Sequence, residues 1–122
     1  MIDYQPYIEH LKAEKLKQKQ QAAQRRKKAL QVARKLARVL KEKYGVQKVY
    51  LFGSCVEKEY FHLRSDIDLA VQGLAPEKFL AAYTDMNFGE GELWHEFKVD
   101  LVDLERCSEN WRKRILEFGK EI

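Results

Sequence analysis

The longest pattern in the chain is a stretch from Tyr7 to Tyr44 that contains no glycine or proline and is rich in Ala, Leu, Lys, Gln and Arg. These residues favour helix formation, so the stretch predicts one long helix. Apolar residues in its second half recur at a spacing of three or four, on one face: Ala29, Leu30, Ala33, Leu36, Ala37, Leu40 and Tyr44. The first half is mostly polar, and we expect it to project from the folded domain or to be covered by a partner. Gly45 is predicted to end the helix.

Shorter apolar runs after the helix are typical of strands: Val46–Phe52, Ser65–Val71 and Lys98–Leu104. Two further helices are predicted, one opening at Pro76 and one over Asn110–Phe118. The element order α-β-β-α-β-α indicates a mixed α/β (α+β) fold, in which helices flank a small sheet. We find no internal repeat.

The charge is distributed unevenly along the 122 residues, whose net charge is +4. Residues 1–45 carry 13 Lys or Arg and 4 Asp or Glu, whereas the remaining residues carry 10 and 15. We therefore predict a basic helical extension over residues 1–28 and a folded domain over residues 29–122. A basic helix of this kind can contact nucleic acid, an acidic protein or only water.

The overall composition is typical of a soluble globular protein, with 45% hydrophobic and 34% charged residues. No apolar run approaches the roughly 20 residues that a membrane span needs. The N-terminus does not resemble a signal peptide, so we expect a cytoplasmic protein that does not contact a membrane. Cys55 and Cys107 have neither metal-binding nor disulfide spacing and are expected to be free thiols.

Two aspartates interrupt the second apolar run and need a reason, because aspartate is disfavoured both in strands and in cores. Side chains alternate along a strand, so Asp66 and Asp68 are expected on one face and Ile67, Leu69 and Val71 on the core face. At about 3.3 Å per residue the two α-carbons are roughly 6 to 7 Å apart. Two converging carboxylates repel each other unless a cation neutralises them, and Mg²⁺ is a hard ion that takes such oxygen ligands.

A third acid is available from the last strand, where Asp100 and Asp103 are three residues apart and so point to opposite faces. Val99 and Leu101 are expected in the core, which places Asp100 on the exposed face. We therefore predict that Asp100, rather than Asp103, joins the pair.

The Gly53-Ser54 pair follows the first strand. Glycine allows a close backbone approach to a ligand, and a helical turn that begins here would direct N–H groups at an anion. A Gly-Ser pair after a strand is also an ordinary turn, so its meaning depends on the acids nearby.

Together these residues resemble the minimal nucleotidyltransferases of the polymerase β superfamily. The matching motifs are Gly53-Ser54, Ser65-Asp66-Ile67-Asp68-Leu69-Ala70-Val71 and Val99-Asp100-Leu101-Val102-Asp103-Leu104. The family pattern is a Gly-Ser turn, two aspartates one residue apart on the next strand, and a later single aspartate. The resemblance covers about residues 30–122. It implies a nucleotidyltransferase fold in which Asp66, Asp68 and Asp100 are the catalytic residues and bind two Mg²⁺ ions.

The resemblance also implies a nucleoside triphosphate substrate, ATP in the first place. The expected nucleotide-binding residues are Gly53, Ser54, Ser65, Lys58 and Arg64. An acceptor hydroxyl would attack the α-phosphorus and release pyrophosphate, with Asp100 helping to activate that hydroxyl. The segment Cys55–Tyr60 departs from the family pattern, because it has two acids and no second glycine. Glu57 and Glu59 would repel a triphosphate unless they face solvent.

Among stand-alone members, the chain resembles the antitoxin of paired toxin–antitoxin modules whose toxin is a HEPN ribonuclease. The C-terminal ILEFGKEI is similar to the end of such antitoxins. The resemblance implies a hetero-oligomer with the toxin and the transfer of AMP to a toxin tyrosine, which silences the toxin.

Two other functions stay open on the residues alone. The protein could be an adaptor that inhibits its partner by binding, or the basic helix could bind nucleic acid in a salt-dependent way. Nucleic acid is the less favoured partner, because no DNA-binding motif or aromatic interleaving accompanies the basic residues. Self-association through the same helix is a further alternative.

Several residues outside the motifs have candidate roles. His62 and His95 lack metal spacing, and we predict packing or surface roles for both. Core or interface positions are predicted for the aromatic residues Tyr60, Trp94 and Trp111, although one of them near the site could stack on adenine.

Overall fold

The computed structural model describes residues 1–122 and begins with one 40-residue helix, α1, from Gln5 to Tyr44. Pro6 lies in its first turn, where the missing N–H costs no hydrogen bond. Gly45 ends the helix in the left-handed conformation, with φ at 70°, and the capping N–H donates to the carbonyl of Leu40. The predicted long helix and its glycine stop are confirmed.

The two halves of α1 have different surroundings. Residues 1–21 are all exposed. The second half buries one face against the domain, through Ala29, Ala33, Leu36, Ala37, Leu40 and Tyr44. This is the predicted stripe, except that Leu30 is only partly buried. At the end of the helix Tyr44 donates a hydrogen bond to Asp85, which lies in the ten-residue helix Phe79–Phe88.

Contacts between α1 and the domain begin before the predicted boundary at residue 28. Arg25 and Arg26 both donate hydrogen bonds to backbone carbonyls of the domain. We expect deletion of residues 1–21 to change the free energy of unfolding by less than about 0.5 kcal/mol, since only exposed residues are lost. Deletion of residues 1–28 should cost about 1–3 kcal/mol, because both arginine contacts are removed. Urea unfolding of the two truncations measures the difference, and equal stabilities would contradict it.

The sheet has four strands in the order β3-β2-β1-β4. The strands are β1 (Lys48–Phe52), β2 (Ile67–Gln72), β3 (Val99–Asp103) and β4 (Lys120–Glu121). β1 pairs antiparallel with β2 and with β4, whereas β2 and β3 are parallel. The mixed sheet is confirmed, and β4 is an addition that the sequence did not predict.

The remaining helices are α2 (Phe79–Phe88) and α3 (Glu109–Phe118). α1 and α2 cover one face of the sheet, where the main core includes Val49, Leu51, Ile67, Leu69, Val71, Val99 and Leu101. A smaller cluster on the other face joins Phe52, Ala70 and Leu104 to Ile115 of α3. The sequence interpretation left this second face open, and that is wrong for the part that α3 covers. None of the helices is both long enough and apolar enough to cross a bilayer.

Candidate active site

Gly53 places the first turn of the candidate site against a carboxylate. It follows β1 directly, has φ at 73°, and begins a short 3₁₀ turn that ends at Cys55. A Cβ added to Gly53 would overlap with Oδ2 of Asp68. Glycine is therefore required here for two reasons: the positive φ, and the close approach of the backbone to Asp68.

The strand register brings the aspartates of β2 and β3 together. Asp68 is paired with Asp100 across the parallel strands and with Phe52 across the antiparallel ones. Neighbouring strands are about 4.8 Å apart, so the two carboxylates project side by side from one face. Asp66 precedes the first residue of β2, so its predicted place within the strand is wrong by one position.

Asp103, the acid not chosen in the sequence interpretation, is used elsewhere. Its carboxylate accepts a hydrogen bond from Arg106 at 2.6 Å and another from the backbone N–H of Glu105 at 3.0 Å. Asp100 is left as the β3 acid beside Asp68.

Negative charge is concentrated at Asp68. Burial, followed by the charge of Asp100, a hydrogen bond with it and the charge of Asp66, raises the pKa of Asp68 to about 7. Lys98 opposes this shift, and its Nζ lies 3.9 Å from Oδ1 of Asp100. Carboxylates crowded in this way are stabilised by a bound cation.

The donor chemistry fits a hard divalent cation. Carboxylate oxygens from Asp66, Asp68 and Asp100 are the ligand type that Mg²⁺ prefers, and the cradle at Gly53 keeps side-chain bulk away from Asp68. The three carboxylates are not gathered into a closed set, since no group of three or more His, Cys, Asp or Glu side chains is arranged to enclose a metal ion.

A cavity of about 250 Å³ opens beside Asp68. It is lined by Phe52, Gly53, Glu57, Asp68, Trp111, Arg114, Ile115 and Phe118. The rings of Phe52 and Trp111 meet edge to face, with centroids 5.8 Å apart, so strand and helix form one aromatic wall. The cavity therefore combines two acids, one cation and apolar surface, as small-molecule sites commonly do.

Two cations at the site were not predicted from the sequence: Arg114, which lines the same cavity as Asp68, and Lys98, which lies beside Asp100. The signal for Arg114 was its spacing of three from Trp111 on the same helix, but that spacing alone does not show that α3 packs over the site. Glu57 is exposed to solvent and also lines the cavity.

Two predicted phosphate ligands lie outside this cavity. Lys58 lines a separate cavity against α1. Arg64 is exposed, and its backbone N–H donates to Nδ1 of His62. Ser54 lies beside Gly53 in the same turn, and its phosphate-binding role stays a prediction.

Ser65 is buried and supports the chain between the turn and β2. Its hydroxyl accepts a hydrogen bond from the backbone N–H of His62 at 2.9 Å, and its carbonyl accepts one from Arg25. These two hydrogen bonds fix the position of Ser65 directly before Asp66.

The remaining candidates have structural places. His95 bonds through Nε2 to the carbonyl of Met86 at 2.6 Å, and its Nδ1 accepts the N–H of Phe97. This is the predicted packing role. Tyr60 and Trp94 are 66% and 73% exposed, so neither belongs to the core.

Comparison with known proteins gives a family and solved structures of similar fold. The family model for "Polymerase beta, Nucleotidyltransferase" matches residues 34–122. A crystal structure of a toxin–antitoxin with AMP-PNP is 29% identical, with a TM-score of 0.56, and the match covers 75% of this chain and 69% of that chain. A double aspartate-to-glutamate mutant of the toxin–antitoxin MntA–HpeT is 25% identical, with a TM-score of 0.58, covering 73% and 70%.

A second mutant of the same toxin–antitoxin, with a tyrosine changed to alanine, is 26% identical over 73% of this chain and 69% of that chain, with a TM-score of 0.58. No match was found among curated protein sequences. The family model covers well over half of the chain, including the Gly-Ser turn and all three aspartates. The chain therefore belongs to the polymerase β nucleotidyltransferase family.

Proposed function

We propose that this protein is the antitoxin of a toxin–antitoxin pair and that it transfers AMP from ATP to a tyrosine hydroxyl of a HEPN ribonuclease toxin. The observation that carries the proposal is the pairing of Asp68 with Asp100 against the backbone of Gly53. Family membership supports a nucleotidyl transfer. The similar solved structures are toxin–antitoxin complexes, one of them with AMP-PNP, and support both the partner and the nucleotide.

One further likeness supports the role of the paired aspartates. In the double mutant of MntA–HpeT the two altered aspartates stand two positions apart, as do Asp66 and Asp68. Two Mg²⁺ ions held by Asp66, Asp68 and Asp100 would neutralise charge on the attacking and leaving oxygens.

The residues around the acids have separate tasks in this reaction. The turn at Gly53 and Ser54 receives the triphosphate, and Arg114 and Lys98 offset its negative charge. Trp111 offers an aromatic surface for the adenine. The tyrosine oxygen forms a bond to the α-phosphorus, the bond from that phosphorus to the bridging oxygen breaks, and pyrophosphate leaves. Asp100, whose side chain is 49% exposed, faces the incoming hydroxyl and takes its proton.

The exposed start of α1 supports a protein partner. Large apolar side chains in its first turns and at the residue before it are 40 to 63% exposed, namely Tyr4, Tyr7, Ile8 and Leu11. Four such residues within two turns are typical of a surface that another protein covers. We assign this segment to toxin binding and the domain to the transfer.

The intact mass of the protein encoded by the neighbouring gene tests this function. After incubation with this protein, ATP and Mg²⁺, that mass should increase by one or more AMP units, and Asp66→Asn should prevent the increase. Glu59→Gln is the matched control, because Glu59 is an exposed acid outside the cavity at Asp68. A tight complex with unchanged mass would contradict the transfer.

The second candidate is an adaptor that silences its toxin by contact alone. Glu57 favours it, because a carboxylate in the cavity opposes a triphosphate. The adaptor predicts that Asp66→Asn neutralises the toxin as well as the unaltered protein does.

A further inference from the structure

Two adjacent arginines of α1 hold the two ends of the segment that carries the candidate site. Nε of Arg26 donates a hydrogen bond to the carbonyl of Cys55 at 2.9 Å. Nη2 of Arg25 donates to the carbonyl of Ser65 at 3.3 Å. Cys55 follows the Gly-Ser turn directly, and Ser65 precedes Asp66. The helix therefore contacts the chain at the two points where it leaves the turn and enters β2.

The same two points are also joined to each other. The thiol of Cys55 donates to the carbonyl of Asp66, with 3.6 Å between sulfur and oxygen. Cys55 is 1% exposed. Turn, thiol and both arginines thus form one connected network.

Arg25 also reaches the strand that carries Asp100. Its guanidinium lies over the ring of Phe97, 4.3 Å from the centroid, two residues before β3 begins. Nη1 of Arg25 is 3.9 Å from Oε1 of Glu96. Its Nε is buried and has no hydrogen-bond partner. Leaving this buried N–H without an acceptor costs free energy. The contacts of the guanidinium with Ser65 and Phe97 must therefore offset that cost.

We propose that Arg25 and Arg26 are positioning residues that fix the distance between the Gly-Ser turn and the three aspartates. The inference rests on the proposed function for its kinetic consequence, but not for its structural one. Arg26 fixes the turn, and Arg25 fixes the entries to both β2 and β3. Catalysis in such a site depends mainly on placing phosphate and acids correctly, so a shift of about 1 Å costs up to 100-fold in rate.

The test compares Arg26→Ala and Arg25→Ala with Arg38→Ala. Arg38 is a matched control because it is an exposed arginine on the same helix. We expect Arg25→Ala and Arg26→Ala each to lower kcat for AMP transfer by about 10- to 100-fold, measured well below the melting temperature of the variant. Arg38→Ala should keep the full rate. Arg26→Lys should recover part of the loss, since one donor is enough for the single carbonyl of Cys55.

Hydrogen exchange supplies a readout that needs no activity. Amides of residues 53–57 should exchange faster in Arg26→Ala, and those of residues 65–68 and 97–100 faster in Arg25→Ala, with Arg38→Ala unchanged. If the unaltered protein transfers no AMP, the proposed function fails, but hydrogen exchange still tests whether Arg25 and Arg26 hold these segments in place. Exchange equal to that of Arg38→Ala in these segments, or an undiminished kcat, would overturn the inference.

Discussion

Asp68→Asn is expected to abolish AMP transfer and, at about pH 8, to raise the melting temperature. The pKa of Asp68 is raised from 3.8 to about 7, so the ionised carboxylate is less favourable in the folded protein than in the unfolded chain. This group therefore costs no stability below pH 3.8, costs progressively more as the pH rises towards 7, and costs a constant amount above that. Asparagine removes the cost. The gain in melting temperature should vanish at low pH.

Thermal unfolding at acid and alkaline pH, with and without Mg²⁺, measures this effect. A ligand that binds only the folded state raises the melting temperature, so Mg²⁺ should stabilise the unaltered protein more than Asp68→Asn. Glu59→Gln controls for the simple loss of one negative charge. Its melting temperature and its stabilisation by Mg²⁺ should both match those of the unaltered protein. A lower melting temperature of Asp68→Asn at both pH values would contradict the account of the site.

Gly53→Ala is expected to reduce AMP transfer by about 100-fold or more and to destabilise the fold. An alanine at φ 73° is strained by about 1–2 kcal/mol, and its Cβ would also displace the carboxylate of Asp68. Gly91→Ala is the matched control, because Gly91 has φ at 61° and nothing within 4 Å of an added Cβ. It should show the backbone strain with normal transfer.

A double-mutant cycle separates the strain at Gly53 from the overlap with Asp68. In an Asp68→Ala background, the stability lost through Gly53→Ala should fall to that of Gly91→Ala, since the overlapping carboxylate is gone. Equal losses in both backgrounds would show that Gly53 does not lie against Asp68 in solution.

The elements with a strong repeated pattern could be predicted from the sequence. α1 followed from a long run of helix-forming residues and a terminal glycine, and the three main strands from apolar runs. β4 is only two residues long, and a pattern needs more repeats than that. The sequence did not predict that α3 covers part of the second face of the sheet. Ile115 indicates an apolar side on that helix, but it does not indicate which surface the helix packs against.

The candidate site was predicted where residue spacing alone determines the geometry. The choice of Asp100 depended on strand alternation, and the register with Asp68 agrees with it. The sequence could not predict the positions of Arg114, Arg25 and Glu57 in the site. These positions depend on contacts between elements that are far apart in the chain. Lys58 was expected at the phosphates on proximity in sequence, but the 3₁₀ turn that contains it directs it towards α1.

The most direct test of the transfer is to follow two labels of ATP separately. The partner toxin and this protein are incubated with Mg²⁺ and ATP labelled either at the α-phosphate or at the γ-phosphate. We predict that the α-label becomes attached to the toxin while the γ-label leaves in pyrophosphate, and that Asp68→Asn stops both. Attachment of the γ-label to the toxin, or a toxin that is silenced without any label, would contradict nucleotidyl transfer at the aspartates.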